Sequence, residues 1–225
     1  MFTRARLFGT AALLAVTAFA APLAQAQSSP QVTVDGARKV LADLRHDKAF
    51  GNAEHLLRQA KAVLIVPRLV KGGFFVGGEG GDGVMMVQRR GGWSAPGFYA
   101  IGAASFGLQA GLEQSEMVML IMTQKGLEGV LHDNFKIGAQ AGISVATLGS
   151  GVEGAIGGVS LPDVVVWSSS TGLYGGLTVD GSVIKSEPRD DAAFYGRSLT
   201  PRSVLFGPVG SPRATPLRRE LDRLG

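Results

Sequence analysis

The chain has 225 residues, is 45% hydrophobic and 18% charged, and carries a formal net charge of +4, which suits one sizeable core in one domain or at most two small ones. Its 33 glycines are about twice the usual share and have no collagen period, so the backbone must often take φ > 0 or pack closely, and no single glycine motif carries weight. There is no cysteine, which excludes disulfides and a lipoprotein's lipid-acceptor cysteine and leaves stability to core packing.

The first 26 residues read as a secretory leader. Arg4 and Arg6 form the basic n-region, LFGTAALLAVTAFA (7–20) the apolar h-region, and Ala24-Gln25-Ala26 an A-x-A cleavage site, giving an expected mature start at Gln27. An uncleaved anchor is the competing reading, but the apolar run is shorter than the ~20 residues a spanning helix needs. Segment charges follow the same division. The leader carries +2, residues 27–196 have 14 Lys/Arg against 16 Asp/Glu, and residues 197–225 have six Arg against two acids. The middle is near neutral and the end basic.

After a flexible lead at 27–33, Val34, Ala37, Leu41 and Leu44 recur at helical spacing with Val40 beside them, while Arg38, Lys39, Asp43 and Arg45 fall outside. Ala53, Leu56, Leu57 and Ala60 repeat the pattern, with His55, Arg58 and Lys61 outside. From Val63 the texture changes to AVLIV, GGFFVGG and GVMMVQ, punctuated by Pro67, Gly72-Gly73 and GGEGGDG (77–83), which predicts strand, turn, strand, turn, strand. SEMVMLIM (115–122) and DVVVWSSS (163–170) predict two buried strands, and GLEGVLHDN a short helix. FGLQAGLE (106–113) echoes IGAQAGIS (137–144), and 63–85 echoes 164–184; such sparse echoes fit one closed or sandwiched sheet, not a solenoid. The fold class predicted is α+β, with short N-terminal helices packed on a glycine-rich, mainly antiparallel curved sheet or barrel-like sandwich over 34–207, followed by a basic flexible tail from 208 to 225.

Gly78, Gly80 and Gly83 match G-x-G-x-x-G, but a strand and not a helix follows Gly83, and position 103 is an alanine where an acid belongs. The motif recurs at Gly149, Gly151 and Gly154. Nucleotide binding is rejected, and Asp82-Gly83 reads as hairpin-turn chemistry. GxxxG at 107–111 and 138–142 lies in strand-like surroundings and reads as sheet glycine. His46, His55 and His132 have no partner at metal-ligand spacing. Ser105 and Ser150 lack the frame of a nucleophile elbow. Glu79, Asp82, Glu113, Glu116 and Glu153 are the carboxylates available for acid–base pairing, though Glu113 and Glu116 flank a buried strand, where structural hydrogen bonding is the commoner role. No catalytic residue, cofactor or metal is nominated.

The stretch WSAPGFYAIGAASFGLQAG (93–111), with AKAVLIVPRLVKGGFFVGGEGGDGVMM, EMVMLIM, FKIGAQAGISVATLGSG and AAFYGRSLTPRSVLFG, resembles the SYLF domain family of lipid-binding proteins, from about residue 34 to Gly207 and in the family's order. The resemblance implies binding of acidic phospholipids, which are phosphoinositides in eukaryotic relatives, through an N-terminal amphipathic helix and basic residues; actin is a further partner of some. Lys61 stands where the family commonly has a lysine. Ala62 replaces the glycine that often follows it, and LGSG replaces a commoner G-P-x-G, which leaves head-group preference open.

For an exported chain the expectation narrows to an anionic phospholipid surface in the envelope, periplasmic or secreted, with no nucleic acid. The candidate lipid-binding residues are Arg38, Lys39, Arg58, Lys61, Arg68 and Lys71. Each Lys or Arg near an anionic surface is worth about 1 kcal/mol, so three or four contacts give only about millimolar binding. Insertion of an apolar helix face or of aromatics such as Phe74, Phe75, Trp93, Phe98 or Tyr99 is also needed, although most of these belong in a core. Two alternatives stand beside this reading: an envelope structural or protein-interaction module docking through a sheet edge or the tail, and a hydrolase with an unrecognised carboxylate site.

Overall fold

A computed structural model describes residues 29–46, 54–132, 135–136, 145–147, 162–169 and 182–224, with backbone alone at 54, 73–77, 104–112, 135 and 145–147. The leader, the 137–144 echo and Glu153 lie outside these residues.

Helix α1 spans Pro30–Leu44 and begins with proline in its first turn, where the missing N–H costs nothing. It starts four residues before the expected position, and Thr33 is already buried, so the lead to residue 33 is shorter than the sequence suggested. Its apolar face is buried through Val34, Ala37, Val40, Leu41 and Leu44. Helix α2, Glu54–Gln59, buries Leu56 and Leu57 beside it.

Two very long strands dominate the sheet: β1, Ala62–Arg89, and β3, Gly97–Ile121, pair antiparallel from Ala62↔Ile121 to Met85↔Gly97. The expected three strands and two turns are therefore one strand, irregular only between Val66 and Leu69 and between Gly73 and Phe75. Pro67 has no N–H to give the ladder and sits at the first irregularity. The hairpin reading of Asp82-Gly83 is also overturned, because these residues pair with Ala100 and Tyr99 in mid-strand. The glycines serve a different purpose. The ribbon doubles back, so that a Cβ on Gly83 would lie 2.6 Å from the Ile65 carbonyl, and one on Gly81 would strike the Arg68 carbonyl. The Gln88 amide donates to the Lys61 carbonyl at 2.8 Å, which brings the two ends of β1 together.

Short strands complete the sheet. After a turn at Arg90-Gly91, β2 (Gly92–Trp93) pairs with the end of β1, with Gly92 at φ 102°. Helix α3 (Gln124–Leu131) follows β3, capped by Thr123, whose side chain accepts from the Gly126 amide. Strand β4 (Phe135–Lys136) pairs with β7 (Val183–Ser186), and β7 pairs with the first half of β3. Strand β6 (Val164–Ser168) pairs antiparallel with the second half of β3 and parallel with β5 (Val145–Thr147). This is an α+β fold on a mainly antiparallel seven-stranded sheet.

Both faces of the sheet are covered. Val63, Ile65, Val84, Met86, Val118 and Leu120 meet α1 and α2 in one core, while Leu64, Val66, Met85, Val87, Met119 and Ile121 meet Leu127, Val130 and Leu205 in another. Double-sided burial accounts for the unbroken apolar runs AVLIV and VMLIM, since neither face needs polar residues.

After helices α4 (Pro188–Tyr195) and α5 (Pro201–Phe206), the C-terminal segment forms a 3₁₀ turn at Pro212–Ala214 and helix α6 (Thr215–Leu224). This corrects the expected flexible tail from 208. Leu217 and Leu221 are fully buried, Leu224 nearly so, and Arg45 of α1 bridges Glu220 at 3.2 Å. Arg219 and Arg223 occupy the outer side of this packed amphipathic helix, whereas the Arg213 guanidinium of the 3₁₀ turn lies 4.5 Å from the Phe194 ring centroid.

Candidate functional site

The six basic residues selected from the sequence are not one patch. Arg58 ends α2 and Lys61 precedes β1, both exposed. Gln88 binds them together: its side-chain amide donates to the Arg58 carbonyl at 3.3 Å and its backbone amide to the Lys61 carbonyl. The following residues, Arg89 and Arg90, lead into the turn before β2. Arg90 is exposed, and Arg89 Nη1 donates to the Gly207 carbonyl at 3.1 Å. The fold-back of β1 thus brings the backbones of Arg58 and Lys61 beside the strand end that carries Arg89 and Arg90, which places the four residues along one rim by backbone position.

Lys39, Arg68 and Lys71 lie elsewhere, past the Pro67 irregularity, where Gly36 lets α1 cross β1 closely: a Cβ there would come 2.8 Å from Pro67. At ~3.3 Å per residue, roughly 20 Å of strand separates Lys61 from Arg68. This second group is largely matched by acids. Lys39 Nζ lies 2.5 Å from Asp43 and 3.8 Å from Glu116, and those carboxylates hold its pKa above the ordinary value. Lys71 stands opposite Glu113 in the β1–β3 register and close to Glu79. Burial pushes the Glu79 carboxyl up, with Lys71 pulling it back. Arg68 is exposed with its carbonyl pressed over Gly81, and Arg38 projects from the outer side of α1.

Among the described side chains, the expected insertion elements are not at the surface. The apolar face of α1 is core, and Trp93, Phe98 and Tyr99 are 3%, 1% and 2% exposed; the side chains of Phe74 and Phe75 lie outside the described set. Arg89-Arg90 were not among the six basic residues selected, although the pair is legible in QRRGGW. The sequence reading also missed Phe206, which sits in the quoted SVLFG and is 45% exposed.

The carboxylates have structural settings. Asp191 is wholly buried, and its Oδ1 accepts from the Phe98 amide at 3.1 Å. The Tyr195 hydroxyl donates to the Pro96 carbonyl at 2.6 Å. Asp190 is shifted upward, first by burial and then by Asp82 and Glu187. Among the described residues no group of three or more His, Cys, Asp or Glu side chains is placed to hold a metal ion, and no helix is long and apolar enough to cross a membrane, which says nothing of strands.

Residues 102–224 match the family described as "Ysc84: Las17-binding protein actin regulator". LAS seventeen-binding protein 3 of Saccharomyces cerevisiae is 31% identical over 198 residues, covering 83% of this chain and 42% of the yeast protein. The SH3 domain-containing YSC84-like protein 1 of Bos taurus is 28% identical over 171 residues, 75% of this chain and 50% of the relative. Its Homo sapiens counterpart is 28% identical over 160 residues, 70% of this chain and 46% of the relative. The chain spans about half the length of these relatives.

Proposed function

We propose that this protein, which belongs to the Ysc84 (SYLF) family, works without catalysis by binding acidic phospholipid at an envelope membrane surface through the rim of Arg58, Lys61, Arg89 and Arg90. The observation that carries this reading is that Gln88 ties the backbones of Arg58 and Lys61 to the strand end that carries Arg89 and Arg90. The relatives are named for Las17 binding and for their SH3 domains. Those names do not fix a partner for this chain, whose leader-like N-terminus directs the proposal to an exported site. Arg58, Lys61 and Arg90 together supply about 3 kcal/mol at an anionic surface, which is weaker than millimolar and reversible.

The test is co-sedimentation of the purified protein with anionic and neutral vesicles at low and physiological salt, beside Arg58→Glu/Lys61→Glu/Arg90→Glu with folding checked by circular dichroism. Selective anionic binding, weakened by salt and lost in the triple variant, is the expected result. A wild-type protein that ignores anionic vesicles at both salts sinks the reading and favours docking on a protein.

A further inference from the structure

Charge alone makes the rim a weak binder, so the question is what enters the bilayer. Among the described residues only two large apolar side chains are exposed, Val32 at 60% and Phe206 at 45%. Val32 lies in the first turn of α1 beside Gln31 and one turn before the acidic Asp35, which accepts from Gln31. Phe206 is placed differently. It ends α5, whose Val204 and Leu205 are fully buried, and the next residue, Gly207, accepts the Arg89 guanidinium. One turn earlier the Arg202 guanidinium stands 5.7 Å from the Phe206 ring centroid.

Resting on the anionic-lipid reading above, we propose that Phe206 is the membrane anchor of this protein, inserting below the phosphate level of an anionic bilayer while Arg89, Arg90 and Arg202 engage the head groups around it. The geometry supplies both parts. An amphipathic arginine keeps its head at the interface while its stem and a neighbouring ring follow the apolar side. Because Leu205 packs against Gly97 and Thr200 caps the helix, the ring is presented by a rigid support and no segment has to be ordered on binding. The occupant is a lipid surface because an exposed aromatic within arginines matches an apolar interior beneath an anionic layer.

The experiment uses the purified protein, Phe206→Ala and Phe206→Trp, with vesicles of phosphatidylglycerol and phosphatidylcholine in equal parts and of phosphatidylcholine alone. Phe206→Ala is expected to lower partition onto the anionic vesicles by about tenfold, the loss from withdrawing one partly exposed ring. Phe206→Trp is expected to bind as wild type, with a blue-shifted emission quenched by brominated lipid; Trp93 and Trp167 are already buried and give no such change in the wild type. Equal anionic partition of wild type and Phe206→Ala, with unshifted emission from bound Phe206→Trp, overturns the anchor and leaves the charged rim standing. Equal binding to both vesicle types overturns the coupling of ring to arginines. A wild type that binds neither sinks anchor and rim together.

Discussion

Asp191 sits in the first half of α4 with no exposure, one oxygen accepting the Phe98 amide and Oδ2 buried without a hydrogen-bond partner. Burial pushes it up to about 7, the Phe98 amide opposes this, and Asp190 adds to it. An unfolded aspartate titrates near 3.9. The folded state therefore holds its proton more tightly. The associated stability is complete below about pH 4, is lost as pH rises from about 4 to about 7, and does not change further above that; its full size is at most about 4 kcal/mol. Asp191→Asn keeps the carbonyl acceptor for Phe98 and removes the titration. Urea midpoints measured across this range should converge for the two proteins near pH 4 and separate in favour of the variant by pH 8. Parallel curves would show that the carboxylate is solvated or paired.

The elements show why a folded ribbon is hard to read from one sequence. Apolar runs and helical spacing expose α1, α2 and the strand cores, because local period and burial coincide there. Turn residues inside β1 do not expose the fold: GGEGGDG has every mark of a reversal, yet Gly81 and Gly83 answer a steric demand set well upstream in the same strand, at Arg68 and Ile65. Gly81→Ala should therefore cost at least about 2 kcal/mol, since its methyl meets backbone and not a yielding side chain. A turn glycine at the same place would lose much less, and urea unfolding distinguishes the two. In α6 the error had the opposite cause. Six arginines in 197–225 drew attention from Leu217, Leu221 and Leu224, whose spacing of four and three is a helical face. Leu221→Ala should cost about 3 kcal/mol and make the C-terminus sensitive to protease; a free tail would show neither effect.

At the scale of the whole molecule the issue is whether a net charge of +4 acts as a diffuse field or through one face. Lys61 and Arg58 were legible because their segment is basic and resembles a lipid-binding family. Their companions Arg89 and Arg90 were not, since only the register and the fold-back of β1 bring residue 88 to residue 61. Arg68 and Lys71 belong to the same basic count in sequence but stand roughly 20 and 30 Å of strand away from Lys61, beyond the Debye length of about 8 Å at physiological salt. Two double variants that remove the same formal charge separate the alternatives. Arg58→Gln/Lys61→Gln should reduce partition onto anionic vesicles about 25-fold, about fivefold for each cation withdrawn from the surface. Arg68→Gln/Lys71→Gln should reduce it less than about threefold, because Lys71 faces acids of its own fold at Glu113 and Glu79 and both residues stand away from the rim. Equal losses at physiological salt would mean that binding follows total charge, that no rim is oriented toward the membrane, and that the assembly of cations around Gln88 is a consequence of strand pairing alone.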